Sequence, residues 1–178
     1  MKLRKGSHDA TGLRFGVVVS KFNKFVTSKL LSSCVETLTK HGAKVENIDV
    51  MRVPGAFDIP LVARTMAKSS RFDAVICLGA VIRGDTPHFE YISAEASRGI
   101  GQAAFDAEVP IIFGVLTTDT VAQAIERAEP SKFNRGGEAA RSAIEMASVV
   151  KQLKAMEQVP DDSERKPKTK RVARRHGK

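Results

Sequence analysis

Residues 74–82, AVICLGAVI, form a continuous apolar run that leads directly into the polar turn RGDTPH at residues 83–88. An apolar run without alternation is typical of a parallel strand covered on both faces. Residues 88–108 then place apolar side chains on one helical stripe, namely Phe89, Ile92, Ala96, Ile100 and Ala103. A buried strand followed by a long helix is the repeating unit of a parallel α/β sheet.

The same alternation of strand and helix patterns extends outward along the chain in both directions. Further apolar runs occur at residues 14–20, 45–53 and 111–117. Apolar residues at helical spacing predict helices before Gly42 and over residues 56–70, 120–128 and 136–153. This order predicts a three-layer α/β/α, flavodoxin-like fold: a doubly wound, four-stranded parallel sheet with helices on both faces.

The positive charge is concentrated at the C-terminal end. The 178 residues carry a net charge of +9, yet residues 165–178 contain eight Lys or Arg and no acidic residue. The other 21 basic and 20 acidic residues leave residues 1–164 with a net charge of +1. Because the segment has almost no aliphatic side chains to bury, residues 156–178 are predicted to be a disordered basic tail. The predicted organisation is therefore an N-terminal arm (1–13), a single domain (14–155) and this tail (156–178).

Cysteine content and hydropathy indicate an ordinary cytoplasmic protein. Cys34 and Cys77 both lie in apolar stretches, which predicts buried small hydrophobic residues rather than a disulfide or a metal site. No apolar run approaches the ~20 residues of a membrane span, and the first residues have no apolar signal core. We therefore predict a cytoplasmic location without membrane association.

Ligands of doubly wound sheets bind at the carboxyl ends of the strands, so the segments after the strands are the candidate site. After the first strand, Phe22 either stacks on a planar ligand or packs back onto the core. After the second, the turn at Pro54-Gly55 can present main-chain groups inward. Asp58 then either binds a hydroxylated ligand or caps the following helix.

The third strand end, residues 79–88, is the most informative segment. A buried strand runs into a glycine-containing turn at a helix N-terminus, where free amides and the helix dipole favour an anion. A phosphate could bind at the amides of Asp85 and Thr86. His88 opens the helix beside this anion site and either exchanges protons with a ligand or serves only the structure.

The fourth strand carries Phe113, and Arg127, Lys132 and Arg135 follow it. Arg127 is either a forked phosphate clamp or a cation that favours the C-terminal end of its helix. No P-loop, dinucleotide fingerprint, metal-ligand spacing or serine nucleophile elbow occurs. The pattern therefore favours chemistry without a cofactor on a phosphorylated compound.

The segments GVVVSKFN, VPGAFDIP, LGAVIRGDTPHFEYI and IIFGVLTTDT, in this order, resemble the 6,7-dimethyl-8-ribityllumazine synthase family. The resemblance covers about residues 12–153. It implies a transferase that condenses 5-amino-6-(D-ribitylamino)uracil with 3,4-dihydroxy-2-butanone 4-phosphate. The products are 6,7-dimethyl-8-ribityllumazine, phosphate and water, in the penultimate step of riboflavin biosynthesis. No metal and no organic cofactor are implied.

The resemblance also assigns roles to residues. His88 is the implied catalytic, proton-transfer residue. The resemblance implies that Phe22 stacks on the pyrimidine ring. It implies that the ribityl chain is held by the turn of Ala56, Phe57 and Asp58. The edge of the uracil would be met by Ala80, Val81, Ile82 and Phe113. Implied phosphate contacts are Gly84, Asp85, Thr86 and Arg127, while Arg135 is an implied ribityl contact. The family usually has Glu at position 58 and Lys at position 135, so Asp58 and Arg135 are departures from its pattern.

The resemblance further implies a homopentamer with active sites between neighbouring subunits. Residues 129–137 lack the insertion of some relatives that form only pentamers, so an icosahedral shell of twelve pentamers is permitted. Riboflavin synthase is a partner that the resemblance suggests. Two alternatives stay open: weak, non-specific nucleic-acid binding by the tail, or a lumazine- or flavin-binding protein that has lost turnover.

Overall fold

The computed structural model of the protein describes residue 1, residues 3–129 and residues 134–157; Lys132 and the predicted tail from residue 158 lie outside these residues. The described residues form four strands, β1 (Phe15–Ser20), β2 (Ile48–Val53), β3 (Ala74–Ile82) and β4 (Ile111–Thr118). They also form five α-helices, α1 (Lys24–Lys40), α2 (Ile59–Lys68), α3 (His88–Ala107), α4 (Val121–Ala128) and α5 (Arg135–Glu157).

The strands build one sheet in the order β2-β1-β3-β4, and every neighbouring pair is parallel. Val17 of β1 is in register with Ile76 of β3, and Cys77 of β3 is in register with Phe113 of β4. This arrangement confirms the predicted doubly wound parallel sheet. The order in which the chain adds strands reverses between β1 and β3, with β2 outside β1 and β4 outside β3, and ligands of such sheets bind at this switch point.

Helices cover both faces of the sheet. On one face, buried residues of β1 and β3 pack with α1, α4 and α5, for example Leu30 and Ile144. On the other face, the alternate residues of the same strands pack with α2 and α3, for example Ile59 and Ile100. Because successive side chains of a strand point to opposite faces, a strand buried on both faces has the continuous apolar sequence noted above.

Three segments differ from the sequence prediction. The helix predicted over residues 136–153 is α5, which continues to Glu157 and so includes the first two residues of the predicted disordered tail. Val45–Asn47, predicted as the start of a strand, is a short 3-10 turn, and β2 begins only at Ile48. Val45 is 67% exposed, so this apolar residue does not belong to the buried run. The helix predicted over residues 56–70 begins with a separate 3-10 turn, Ala56–Asp58, before α2.

The N-terminal arm lies along α5. The Ser7 amide donates to Ser148 Oγ at 2.9 Å, and the Gln152 side-chain amide donates to the Lys5 carbonyl at 2.9 Å. Ala10 is completely buried in the core. No helix among the described residues is long and apolar enough to cross a membrane, and the cytoplasmic location stays a prediction.

Both cysteines are fully buried, and we expect their thiols to be unreactive in the folded protein. Burial raises the pKa of the Cys34 thiol to about 12, and burial raises the pKa of the Cys77 thiol as well. Since the thiolate is the reactive species, an aromatic disulfide reagent at pH 8 should modify neither residue until denaturant is added. Rapid modification of the native protein would contradict this expectation.

Candidate active site

A groove of about 540 Å³ lies at the carboxyl ends of β1 and β3, where the strand order reverses. Ten of the fourteen predicted site residues line it. These are Phe22, Ala56, Phe57, Asp58, Ala80, Val81, Ile82, Gly84, Thr86 and His88, and the remaining walls are Pro54, Gly55, Phe89 and Ile92. The groove therefore brings together the segments that follow the first three strands.

Phe22 stands on the rim of the groove. Hydrogen bonds continue the β1–β2 pairing beyond the strands, since the Lys21 amide donates to the Val53 carbonyl at 2.7 Å and the Phe22 amide donates to the Pro54 carbonyl at 3.0 Å. The Phe22 residue is 70% exposed, so the alternative in which it packs back onto the core is wrong. An exposed ring above a groove can stack on a planar ligand.

Asn23 was not predicted as part of the site, although it follows Phe22 directly and links this rim of the groove to β3. It adopts a left-handed conformation (φ 54°) before α1, and Asn tolerates this better than most residues. Its side-chain amide donates to the Ala80 carbonyl at 2.9 Å and so joins the ends of β1 and β3.

Asp58 closes the turn that forms one side of the groove. Its carboxylate accepts a hydrogen bond from the Gly55 amide at 2.8 Å, across the 3-10 turn Ala56–Asp58. It makes no side-chain cap of α2. The prediction that Asp58 caps the following helix is therefore wrong, because its carboxylate caps the preceding 3-10 turn instead.

The loop between β3 and α3 borders the groove and contains main-chain amides without acceptors in the described part of the chain. Among the described residues, none accepts a hydrogen bond from the amides of Gly84, Asp85 or Thr86. His88 is the first residue of α3 and is exposed on the groove wall. Free amides next to the positive end of a helix dipole favour an anion, and His88 lies beside them. Asp85 itself does not line the groove.

Arg83 was not predicted as part of the site, although it borders this loop. Its Nε donates to an Asp119 carboxylate oxygen at 2.8 Å, and its Nη1 donates to Glu90 Oε1 at 3.2 Å. The hydrogen bonds to Asp119 and then to Glu90 raise the pKa of the Arg83 guanidinium, which keeps it charged. Its partners are 36 and 7 residues away in sequence, so no local spacing pattern could have found the network.

The other three predicted residues, Phe113, Arg127 and Arg135, line a separate cavity of about 320 Å³ beside the edge strand β4. Phe113 is 44% exposed. The Arg127 guanidinium donates to the Gln123 carbonyl at 3.1 Å, and the Arg135 guanidinium donates to Glu138 Oε2 at 2.6 Å. Two guanidinium groups and an exposed aromatic ring thus share this edge cavity.

Asn134 places Arg135 at the start of α5. Its side-chain oxygen accepts hydrogen bonds from the amides of Gly136 at 2.8 Å and Gly137 at 3.3 Å. Its side-chain amide donates to the Ala128 carbonyl at 2.6 Å, which ties α5 to the end of α4. Asn134 is buried, and it caps a helix end whose amides would otherwise lack partners.

The sheet and its helices define a flavodoxin-like α/β protein with a groove at the carboxyl ends of its strands. The sequence profile of one family, 6,7-dimethyl-8-ribityllumazine synthase, matches residues 12–151. Two proteins named 6,7-dimethyl-8-ribityllumazine synthase, from two strains of Clostridium kluyveri, are each 52% identical to this chain over 153 residues. That alignment covers 86% of this chain and 99% of each relative.

The chain belongs to the 6,7-dimethyl-8-ribityllumazine synthase family. It is a transferase, and its reaction is the condensation of the ribitylaminouracil with the butanone phosphate in riboflavin biosynthesis. The resemblance noted from the sequence is thereby confirmed.

Proposed function

We propose that the lumazine-forming site is composite, made from the groove of one subunit and the edge cavity of its neighbour. The observation that carries this proposal is the division of the predicted residues. Ten line the groove, whereas Phe113, Arg127 and Arg135 line a different cavity of the same chain. A ring of identical subunits, each placing its β4 edge on the next subunit's groove, would unite the two sets.

Exposed apolar side chains support such an arrangement. Leu61 of α2 and Phe105 of α3 are 72% and 83% exposed, and Tyr91 near the groove is 70% exposed. Large apolar side chains exposed together on a single subunit are typical of surfaces that bind another protein. We propose a homopentamer as the closed ring, in line with the family, and a shell of pentamers stays a prediction.

In this site the groove binds the pyrimidine and the loop binds the phosphate. Phe22 stacks on the ring, and the turn Ala56–Asp58 and the ends of β3 meet its ribityl chain and polar edge. Because the Asp58 carboxylate already accepts the Gly55 amide, it offers the ribityl chain only its remaining lone pairs. The free amides of Gly84 to Thr86 hold the phosphate, with Arg127 of the neighbouring subunit opposite.

The reaction then needs placement and proton transfer rather than a nucleophile from the protein. The 5-amino group attacks the ketone and loses water to form a Schiff base, and phosphate is then eliminated. The ribitylamino nitrogen attacks the carbonyl that results and closes the ring with loss of a second water. Holding two substrates together accounts for much of the acceleration. His88, on the groove wall next to the phosphate loop, donates and accepts the protons.

A subunit-mixing experiment tests the composite site. His88→Ala removes a groove residue and Arg127→Met removes an edge residue, so each variant alone should have low activity. When the two variants are co-expressed in equal amounts, about one site in four combines an intact groove with an intact edge cavity. We therefore expect the mixture to recover about a quarter of the wild-type rate.

Mixing two groove variants, His88→Ala and Phe22→Ala, is the matched control. No site in that mixture has an intact groove, so its rate should not exceed the mean of the two parents. If the His88 and Arg127 variants also failed to complement each other, each chain would contain its whole site and the composite arrangement would be wrong.

For the basic tail we propose a second role, weak binding of nucleic acid. The support is the charge distribution: eight basic residues in positions 165–178 against a net charge of +1 for the rest. These residues lie outside the described part of the structure and contain no aromatic side chain for base stacking. Binding would therefore be to phosphates, would be independent of sequence and would gain avidity from repetition in an oligomer.

Full-length protein and a chain that ends at Glu164 form a matched pair, because the shorter chain keeps every described residue. We expect only the full-length protein to retain RNA at low salt, and we expect that binding to weaken steeply as salt rises. Both proteins should turn over the substrates equally. Equal RNA retention by the two chains would show that the tail does not bind RNA.

A further inference from the structure

Arg83 has three contacts that the proposed site does not use. Its guanidinium donates to Asp119 at 2.8 Å and to Glu90 at 3.2 Å, and its Cζ lies 4.4 Å from the centroid of the Phe89 ring. Its own main-chain amide donates to the Thr118 carbonyl at 2.9 Å. One side chain thus joins the ends of β3 and β4 to the first turn of α3.

These contacts hold the phosphate loop at both of its ends. The loop, residues 84–87, begins directly after Arg83 and ends at His88, and Phe89 and Glu90 follow at once. Because its amides have no acceptors among the described residues, the loop has few bonds of its own to fix its shape. The Arg83 side chain supplies that restraint from outside the groove.

We propose that Arg83 is a positioning residue that fixes residues 84–87 and His88 for the phosphorylated substrate without touching the phosphate. The inference rests on the proposed role of this loop in phosphate binding. Two nitrogens of the guanidinium already donate to the carboxylates of Asp119 and Glu90, and neither of these residues lines the groove. Only a planar, forked cation can serve both carboxylates and lie over a ring, so Lys would not replace it.

The same geometry makes the proposal testable, because loss of Arg83 should not unfold the protein. Its side chain is 42% exposed, and its partners Asp119 and Glu90 are 66% and 65% exposed. Exposed ion pairs contribute little to global stability. The effect of a substitution should therefore appear in the loop rather than in the fold.

The experiment compares Arg83→Met, Asp119→Ala and the double variant with wild type. We expect each of the three to raise the KM for the butanone phosphate roughly three- to ten-fold, with the KM for the pyrimidine unchanged. The double variant should be no worse than Arg83→Met alone, because Arg83→Met already removes the contact with Asp119. Inorganic phosphate, used as a competitor, should inhibit these variants more weakly, by about the same factor as the rise in the KM for the butanone phosphate.

Arg71→Met is the control, since Arg71 donates to Asp49 at 3.0 Å and lies 5.5 Å from the Phe72 ring centroid at the far end of the sheet. It should leave both KM values unchanged. If Arg83 bound the phosphate itself, Asp119→Ala would keep or tighten phosphate binding while Arg83→Met weakened it, and that result would overturn the proposal.

Hydrogen exchange separates this inference from the proposed role of the loop. The amide of residue 83 donates to the Thr118 carbonyl, and the Glu90 amide donates to the Pro87 carbonyl. Both amides should exchange faster in Arg83→Met than in wild type, whichever ligand the loop binds. If exchange were faster but the binding of phosphate did not change, the loop would not bind the phosphate, although Arg83 would still restrain the loop. Unchanged exchange would refute the restraint by Arg83.

Discussion

His88→Ala is expected to lower kcat by about 10²-fold while the fold and the oligomer stay intact. His88 is exposed at the start of α3, and alanine is the best helix former, so the substitution has no structural cost that we can identify. The condensation needs proton transfer at several steps, and His88 is the one histidine among the described residues that line the groove. An imidazole can both accept and donate a proton. Steady-state turnover, followed by lumazine absorbance, measures the loss.

The remaining activity is as informative as the lost activity. Because the variant still binds both substrates, its rate should stay above that of the uncatalysed condensation, and its KM values should change little. His8→Ala is the matched control, since His8 lies in the N-terminal arm and does not line the groove. An unchanged kcat for His88→Ala would remove this residue from the proton transfers.

The groove could be predicted from the sequence because each segment that forms it has a local sequence pattern. The apolar run at residues 74–82 placed the end of β3, and Pro54-Gly55 placed the turn after β2. The rule that parallel strands end at one edge then brought these segments together. Phe22 shows the limit of such signals, since the same polar turn is compatible with a buried or an exposed ring, and only the structure decides between them.

The division into two cavities could not be predicted from the sequence. Periodicity shows that a strand is buried but not where the strand lies in the sheet, and β4 lies at an edge. Phe113 and Arg127 therefore line a cavity beside that edge instead of the central groove. The contacts of Arg83 and Asn134 were missed for a related reason, because their partners depend on how distant elements pack.

Gly136→Ala is expected to be strongly destabilising. A Cβ at this position would overlap the Leu30 carbonyl oxygen and lie 2.7 Å and 2.9 Å from the Leu30 carbonyl carbon and Cα. All three are main-chain atoms of α1, which cannot rotate away as a side chain could. The start of α5 and α1 must therefore separate.

Forced separation of packed helices costs roughly 3 kcal/mol, which in a protein of this size lowers the Tm by about 6–12 °C. Circular dichroism at a fixed protein concentration measures the change. Gly101→Ala is the matched control, because Gly101 lies inside α3 and a Cβ there has no heavy atom within 4 Å. That substitution should raise stability by about 0.5–1 kcal/mol, since glycine is the poorer helix former.

The two substitutions add the same methyl group to a helical glycine, so opposite signs would isolate the contact with Leu30 as the cause. Because Arg135 precedes Gly136, separation of α5 from α1 should also displace one cation of the edge cavity. Gly136→Ala should therefore lose activity at temperatures where it is still folded. Equal Tm values for Gly136→Ala and wild type would show that α5 moves away without cost and that the close approach of the two helices is not required.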